Sequence, residues 1–315
     1  MERSNTVNML SIDVEDYFHV SAFEQISPPS SWAQFESRVE RNTDRILDIL
    51  SNAEVRATFF ILGWVARFSP DLVKRIASMG HEIASHGYGH QRIPNMSRQE
   101  FREDIRLSKK LLEDLTGHAV KGYRAPSYSI GLDTLWVFDE LVDAGYIYDS
   151  SVFPIKHDFY GISDWPCCPF PLQKSDAEGW LPGCEMDESC ELLEVPISTF
   201  NRAGQNLPIA GGGYFRLYPY VLTRMGLQRI NAQDNNPFIF YIHPWEFDPG
   251  QPRMVNAGLK SRFRHYLNLG KTEARFIQLL NDFSFSTIDT VLGDRIPKQE
   301  EPPHYLRPVK SYEMH

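Results

Sequence analysis

The chain has 315 residues, 42% of them hydrophobic and 13% aromatic, enough to bury a large core. Its 32 basic against 41 acidic residues leave a formal charge of −9, and no basic run could track a phosphate backbone, so nucleic acid is not an expected partner. No apolar run approaches the roughly 20 residues that cross a bilayer, and residues 1–7 lack the apolar core of a secretory leader, which makes a cytoplasmic location the expectation.

Residues 7–12 read as an apolar strand ending in the acidic cluster Asp13, Glu15 and Asp16. Val39, Thr43, Ile46, Leu47 and Leu50 then keep a helical period on one face. Residues 56–62 form a β-branched and aromatic strand, Pro70 opens a helix, and a short strand leads to His86. Ser97 and Glu100 have the form of a capping box, and the helix they start can end at Gly117. A strand over 120–123, a helix over 132–144 and a strand over 146–148 follow. This β-then-α alternation predicts parallel strands joined by helical crossovers, in a doubly wound sheet or a barrel. Catalytic groups gather at the carboxyl ends of strands in both architectures.

From about 154 to 216 the pattern gives way to Pro, Gly, Asp, Trp and Cys, which predicts a long, ordered but irregular insertion carrying Tyr160, Trp165 and Trp180. Cys167, Cys168, Cys184 and Cys190 match no zinc-binding spacing and are expected to be free thiols. Gly211, Gly212 and Gly213 suggest a close backbone approach, without the lysine and hydroxyl residue of a phosphate loop. A helix over 219–231, a strand over 237–242, a basic loop over 259–269, a helix over 272–280 and a strand over 284–290 complete one domain spanning 1–296, whose last part is 244–296. Residues 297–315 read as an extended tail.

Each strand end carries chemistry. Asp13 and Glu15, two apart, can share a face, and three carboxylates in four residues repel one another unless a cation lies between them. His86 and His90 would stand about 5–6 Å apart across one helical turn, within reach of one divalent ion. Arg124 follows the strand 120–123 and can grip Asp13 through two hydrogen bonds. His243 ends an apolar strand, and the sequel Pro244-Trp245-Glu246-Phe247-Asp248 reads as a pocket rim. From His81-Glu82 to His86 there is one residue too many for a zinc-protease helix, and no Gly-x-Ser-x-Gly elbow is present.

The ordered set Ser11-Ile12-Asp13-Val14-Glu15-Asp16, Ser85-His86-Gly87-Tyr88-Gly89-His90, Tyr123-Arg124-Ala125-Pro126 and Tyr241-Ile242-His243 resembles the polysaccharide deacetylase pattern (NodB homology, carbohydrate esterase family 4). The stretches 13–20, 211–216 and 243–248 resemble, more narrowly, the subgroup found in exopolysaccharide loci with exosortase-type sorting. The resemblance implies a distorted (β/α) barrel that removes acetyl groups from an N-acetylated glycan with a divalent metal, of zinc type. It implies His86 and His90 as metal ligands, Asp13 as general base, Arg124 as its orienting partner and His243 as general acid. The first motif departs from the family form, so the third ligand is Glu15 by strand parity or else Asp16. Ser127 and Tyr128 are candidates for oxyanion or substrate contact, as are Tyr160, Trp165 and Trp245, while Asp149 matches the family's fourth motif only in its opening Asp-Ser. No feature indicates the oligomeric state.

Overall fold

A computed structural model describes residues 6–156, 161–175, 179–183, 190–202, 204–234 and 236–297. In chain order, β1 (Val7–Val14), α1 (Val39–Asn52), β2 (Thr58–Ile61), α2 (Gly63–Phe68), α3 (Pro70–Ser78), β3 (Glu82–Ser85), α4 (Arg98–Thr116), β4 (Gly122–Tyr123), α5 (Val137–Asp143) and β5 (Tyr148–Asp149) alternate as the periodicity predicts. The second half holds β6 (Phe170–Ser175), β7 (Gly179–Pro182), β8 (Leu192–Glu194), β9 (Thr199–Arg202), β10 (Gln205–Pro208), α6 (Gly212–Leu217), α7 (Tyr220–Asp234), β11 (Ile239–Ile242), α8 (Leu259–Tyr266), α9 (Leu269–Asp282), β12 (Ser284–Ser286) and α10 (Ile288–Leu292).

β11, β1, β2, β3, β4, β5 and β8 run parallel in that spatial order, with β12 also parallel to β1. The antiparallel strands β6 and β7 extend the β8 edge. Between β8 and β11 single contacts replace a ladder: Ile239 N donates to Ser198 Oγ (2.9 Å), just past β8, and Tyr241 N to Ala210 O (3.1 Å). The result is a distorted (β/α) barrel.

Strand alternation sorts the core into two layers. Leu10, Ile12, Val14, Phe59, Ile61, Phe240 and Ile242 point outward and pack with Ile46, Leu50, Leu72, Phe101 and Phe276 of the helices. Met9, Phe60, Ala84, Tyr148, Ile239 and Tyr241 point inward and pack with Ile288, Leu292 and Ile296. Helix ends follow their sequence signals. Ser97 and Glu100 form the capping box of α4, and Gly117 closes that helix at φ 71°.

Four expectations need correction. The strand expected over 284–290 ends at Ser286, and α10 is helical from Ile288. The insertion is not irregular throughout, because β6, β7 and β8 join the main sheet and β9 pairs with β10. These strands are short, and although β6 pairs with β7 and β9 with β10 as local hairpins, no alternating apolar period marks them. Residues 259–266 are helical rather than loop. The one buried side chain there is a histidine, His265, which an apolar-periodicity reading passes over. Residues 132–144 begin with a short 3-10 turn before α5. Cys167 carries a free thiol, which accepts from Thr199 Oγ1 at 3.3 Å. Cys184 and the tail from 298 on lie outside the described residues.

Gly122 shows how tightly the barrel interior is filled. A Cβ there would lie 2.0 Å from Cζ of Tyr148, and the Tyr148 hydroxyl is anchored on Glu82 Oε1 at 2.8 Å, so the ring has little room to withdraw. Gly122→Ala is expected to lower unfolding free energy by about 3 kcal/mol, the upper end of ordinary overpacking costs. Urea titration checks this, and a loss below about 0.5 kcal/mol, the range of neutral surface changes, would contradict the packing.

Candidate active site

The carboxyl ends of β1, β3, β4 and β11 converge. On β1, Asp13 shares the inward face with Met9 and Ser11, and the chain turns at once, Glu15 N donating to Asp13 O at 3.0 Å. Asp16 goes elsewhere. Its Oδ2 accepts from Arg38 N (2.6 Å), Val39 N (3.0 Å) and Ser37 Oγ (3.0 Å), and its Oδ1 from Tyr17 N (2.9 Å). Asp16 is therefore the remote cap of α1, satisfying N–H groups that a helix start leaves without intrahelical partners.

Beyond β3 the two histidines sit on a turn, not a helix: Gly87 has φ 72° and His90 φ 49°. Asp104 of α4 fixes this turn by accepting from Tyr88 N (2.7 Å) and Gly89 N (2.9 Å), while Gly63 N and Trp64 N of α2 donate to the carbonyls of Gly87 and Tyr88. The ring centroids of His86 and His90 end up 5.3 Å apart. His86 Nδ1 lies 2.9 Å from the carbonyl of Arg124, so Nδ1 carries the proton and Nε2 keeps its lone pair. Burial pushes the His86 imidazole down to about 4, which keeps it neutral near pH 7.

Glu15, His86 and His90, all buried, offer one ligand atom each within 4.8 Å of one another. Glu15 Oε2 is 2.6 Å from His90 Nε2, yet this buried oxygen accepts no hydrogen bond. Burial works to raise the Glu15 pKa, but the neighbouring imidazoles, His90 first, outweigh it and hold the carboxyl below its usual range. One carboxylate and two imidazoles facing a common point form a donor set for a divalent cation. His19 backs the set from behind. Its ring lies 6.4 Å from that of His90, and its Nδ1 accepts from Asp16 N at 2.9 Å.

Arg124 is fully buried and stacks on Phe60, its guanidinium carbon 3.9 Å from the ring centre. Its Nη1 donates to Asp13 Oδ1 (2.5 Å) and Ser11 Oγ (2.8 Å), its Nη2 to Ser150 Oγ (2.8 Å) and its Nε to Ser150 O (3.0 Å). Asp13 Oδ2 remains, with the Tyr128 hydroxyl at 3.3 Å and His243 Nε2 at 3.8 Å.

On β11's end, His243 Nδ1 lies 2.7 Å from Glu246 Oε1, and its Nε2 is 3.6 Å from Glu15 Oε1. Burial would lower the His243 pKa, but the hydrogen bond to Glu246 and the carboxylates Glu15, Glu246 and Asp13 push it up to about 9. Trp245 Nε1 donates to Glu15 Oε1 (3.1 Å), and its ring stacks between His243 and His265.

Asp13, Glu15, His86, His90, Arg124, Tyr128, His243 and Trp245 are thus brought together. Ser127 and Tyr128 are consecutive left-handed residues, φ 56° and 55°, a conformation costing non-glycine residues about 1–3 kcal/mol each. Tyr128 N is used by Ala125 O (3.0 Å), and Ser127 Oγ pairs with Ser21 Oγ (2.5 Å), so what Tyr128 offers the site is its hydroxyl. Asp149 is not part of the group: its carboxylate accepts from Ser151 Oγ and N and faces Glu194, and burial raises both. Trp165 and Trp180 are correspondingly buried against Phe138 of α5, not open to a sugar. Tyr160 lies outside the described residues. Sequence reasoning missed Glu246 and Arg216 as site residues; a carboxylate three residues past His243, across a proline-led turn, was the available signal.

Residues 25–145 match the family model for polysaccharide deacetylase, and residues 150–293 match a domain of unknown function, DUF3473. The chain is 42% identical over 84 residues to a peptidoglycan-N-acetylglucosamine deacetylase of Bacillus cereus, covering 27% of this chain and 30% of that protein. It is 31% identical over 159 residues to a peptidoglycan deacetylase-like protein of Gibberella zeae, covering 50% and 45%. Both matches thus span less than half of the relative's own length. A Mycobacterium smegmatis crystal structure, provisionally named a polysaccharide deacetylase, superposes over 96% of both chains with a TM-score of 0.56 at 17% identity, and so shares the fold. Residues 25–145 thus match a polysaccharide deacetylase domain of the NodB type.

Proposed function

We propose that this protein is a metal-dependent hydrolase that removes acetyl groups from an N-acetylated glycan. The observation that carries the reading is the placement of Asp13 Oδ2 and His243 Nε2, 3.8 Å apart, beside the donor set Glu15, His86 and His90. Zinc suits a set of two imidazoles and one carboxylate. When bound, such an ion polarises the acetyl carbonyl and makes water more acidic.

The chain's own groups divide the proton transfers. Asp13 Oδ1 is occupied by Arg124, so Oδ2 takes the proton from the attacking water. Arg124 fixes Asp13 in orientation. The Tyr128 hydroxyl donates to the same oxygen at 3.3 Å and helps hold it in place. His243, protonated near neutral pH, gives its Nε2 proton to the departing amine nitrogen. Acetate and a free amino sugar result. The stretches 13–20, 211–216 and 243–248 support an exopolysaccharide, or its lipid-linked precursor, as the polymer.

Acetate release from N-acetylated oligosaccharides by the purified protein tests the reaction. Release should stop with chelator and return with zinc, and His243→Ala should lower kcat by about 100-fold or more. A zinc-loaded parent that frees no acetate from any acetylated sugar contradicts the reading.

The proton donor sets the alkaline limb. Because the protonated imidazole is the active form, and its pKa is raised to about 9, kcat should hold to about pH 8 and fall as pH rises through 9. A limb near the ordinary imidazole value of about 6.5 would remove His243 from the role.

The third ligand can be assigned by comparing neighbours. Asp16→Ala should cost about 2 kcal/mol of stability through loss of the α1 cap and still bind one metal per chain. Glu15→Gln should weaken metal binding at least about 10-fold with the melting temperature of the metal-free protein little changed. Metal titration with thermal denaturation reads both, and the opposite pattern would make Asp16 the ligand.

A further inference from the structure

His243 is one end of a buried relay that reaches back to the glycine run. Gly211, at φ 133°, presses on β11 so closely that a Cβ there would lie 2.0 Å from Tyr241 O. That contact starts α6 and turns Arg216 inward, where it is 2% exposed. Arg216 Nε donates to Glu246 Oε2 (2.5 Å), and its Nη1 to the carbonyls of Arg264 (3.2 Å), His265 (2.6 Å) and Leu267 (3.0 Å). The guanidinium carbon lies 5.1 Å from the Trp245 ring. Glu246, with no exposed surface, spends its other oxygen on His243, accepting from the backbone N (3.0 Å) and facing Nδ1 (2.7 Å).

A buried ion pair alone says little about function, since hydrophobic replacements are often as stable. Here the geometry adds a direction. A carboxylate at Nδ1 places a proton there and turns Nε2 away from itself, toward Asp13 and Glu15. Such a second partner fixes both the tautomer and the ring plane of an imidazole. The carboxylate is itself held on its far side by a guanidinium whose remaining donors bind the end of α8.

We infer that Glu246, backed by Arg216, is the positioning residue that aims His243 at the leaving amine. Residues 150–293, which match a domain of unknown function, thereby supply the proton-donor half of the catalytic site. The inference rests on the reading of His243 as proton donor.

Two measurements test it. In the parent, histidine-selective nitrogen NMR should show the Nδ1 of His243 protonated, and an Nδ1 lacking its proton overturns the inference without any variant having to fold. In steady-state kinetics, Glu246→Gln should lower kcat by about 10- to 100-fold and leave KM and bound metal within about twofold of the parent. Arg216→Lys, which keeps the charge but not the fork, should fall between the two. The Glu246→Gln/Arg216→Lys double variant should lose little more than Glu246→Gln alone, because linked residues are not additive. A Glu246→Gln enzyme with parental kcat overturns the inference, and if His243→Ala is inactive alongside it, the proposed reaction itself stands. Parental kcat in His243→Ala removes the proton-donor reading and the inference with it.

Discussion

A buried guanidinium orders this structure. Arg124 has no exposed surface, so each of its N–H groups needs a partner inside the protein, and a lone buried charge would cost several kcal/mol. Its partners come from the end of β1 (Ser11, Asp13) and from the residue after β5 (Ser150), while its flat face lies on Phe60 of β2. Satisfying Arg124 therefore fixes the strand ends relative to one another. The same bonds hold Asp13 and, through the Arg124 carbonyl, orient His86. Stability and site geometry depend on one set of contacts.

The barrel interior below this layer is apolar and aromatic, and above it lie carboxylates and imidazoles. Glu15 is the pivot of the upper layer, touching His90, His243 and Trp245. Environment separates the roles of chemically similar groups. Burial keeps His86 neutral, whereas the neighbouring carboxylates keep His243 charged. Divergent pKa values in one pocket are what the proposed division between proton donor and metal ligand requires. Asp13, Glu15 and Asp16, four residues in all with Val14, take three separate tasks: one bonded to Arg124, one facing the imidazoles and one capping α1.

Much of this was legible in the sequence because the polar residues stand at the ends of apolar strands, and alternation tells which way they face. Asp13 and Glu15 were separable from Asp16 by parity, though nothing local revealed that Asp16 would cap a helix more than twenty residues on. The His86–His90 spacing pointed to two rings that do lie together, but for the wrong local reason, since a glycine turn and not a helix brings them there. Trp165 and Trp180 looked like sugar platforms because β6 and β7, which bury them against α5, have no periodic signature. Glu246 and Arg216 stayed hidden as a pair because their link is purely tertiary, thirty residues apart across two elements.

The proposed site gathers groups from four strand ends around one cation. Diffraction from crystals grown with zinc, recorded at the zinc absorption edge, tests it most directly. The expected result is a single anomalous peak at about 2.0–2.2 Å from Glu15, His86 Nε2 and His90, with Asp13 and His243 on either side of it and Asp16 still bound to the start of α1. A peak bound by Asp16, or one with the His243 ring turned away from it, would contradict the account.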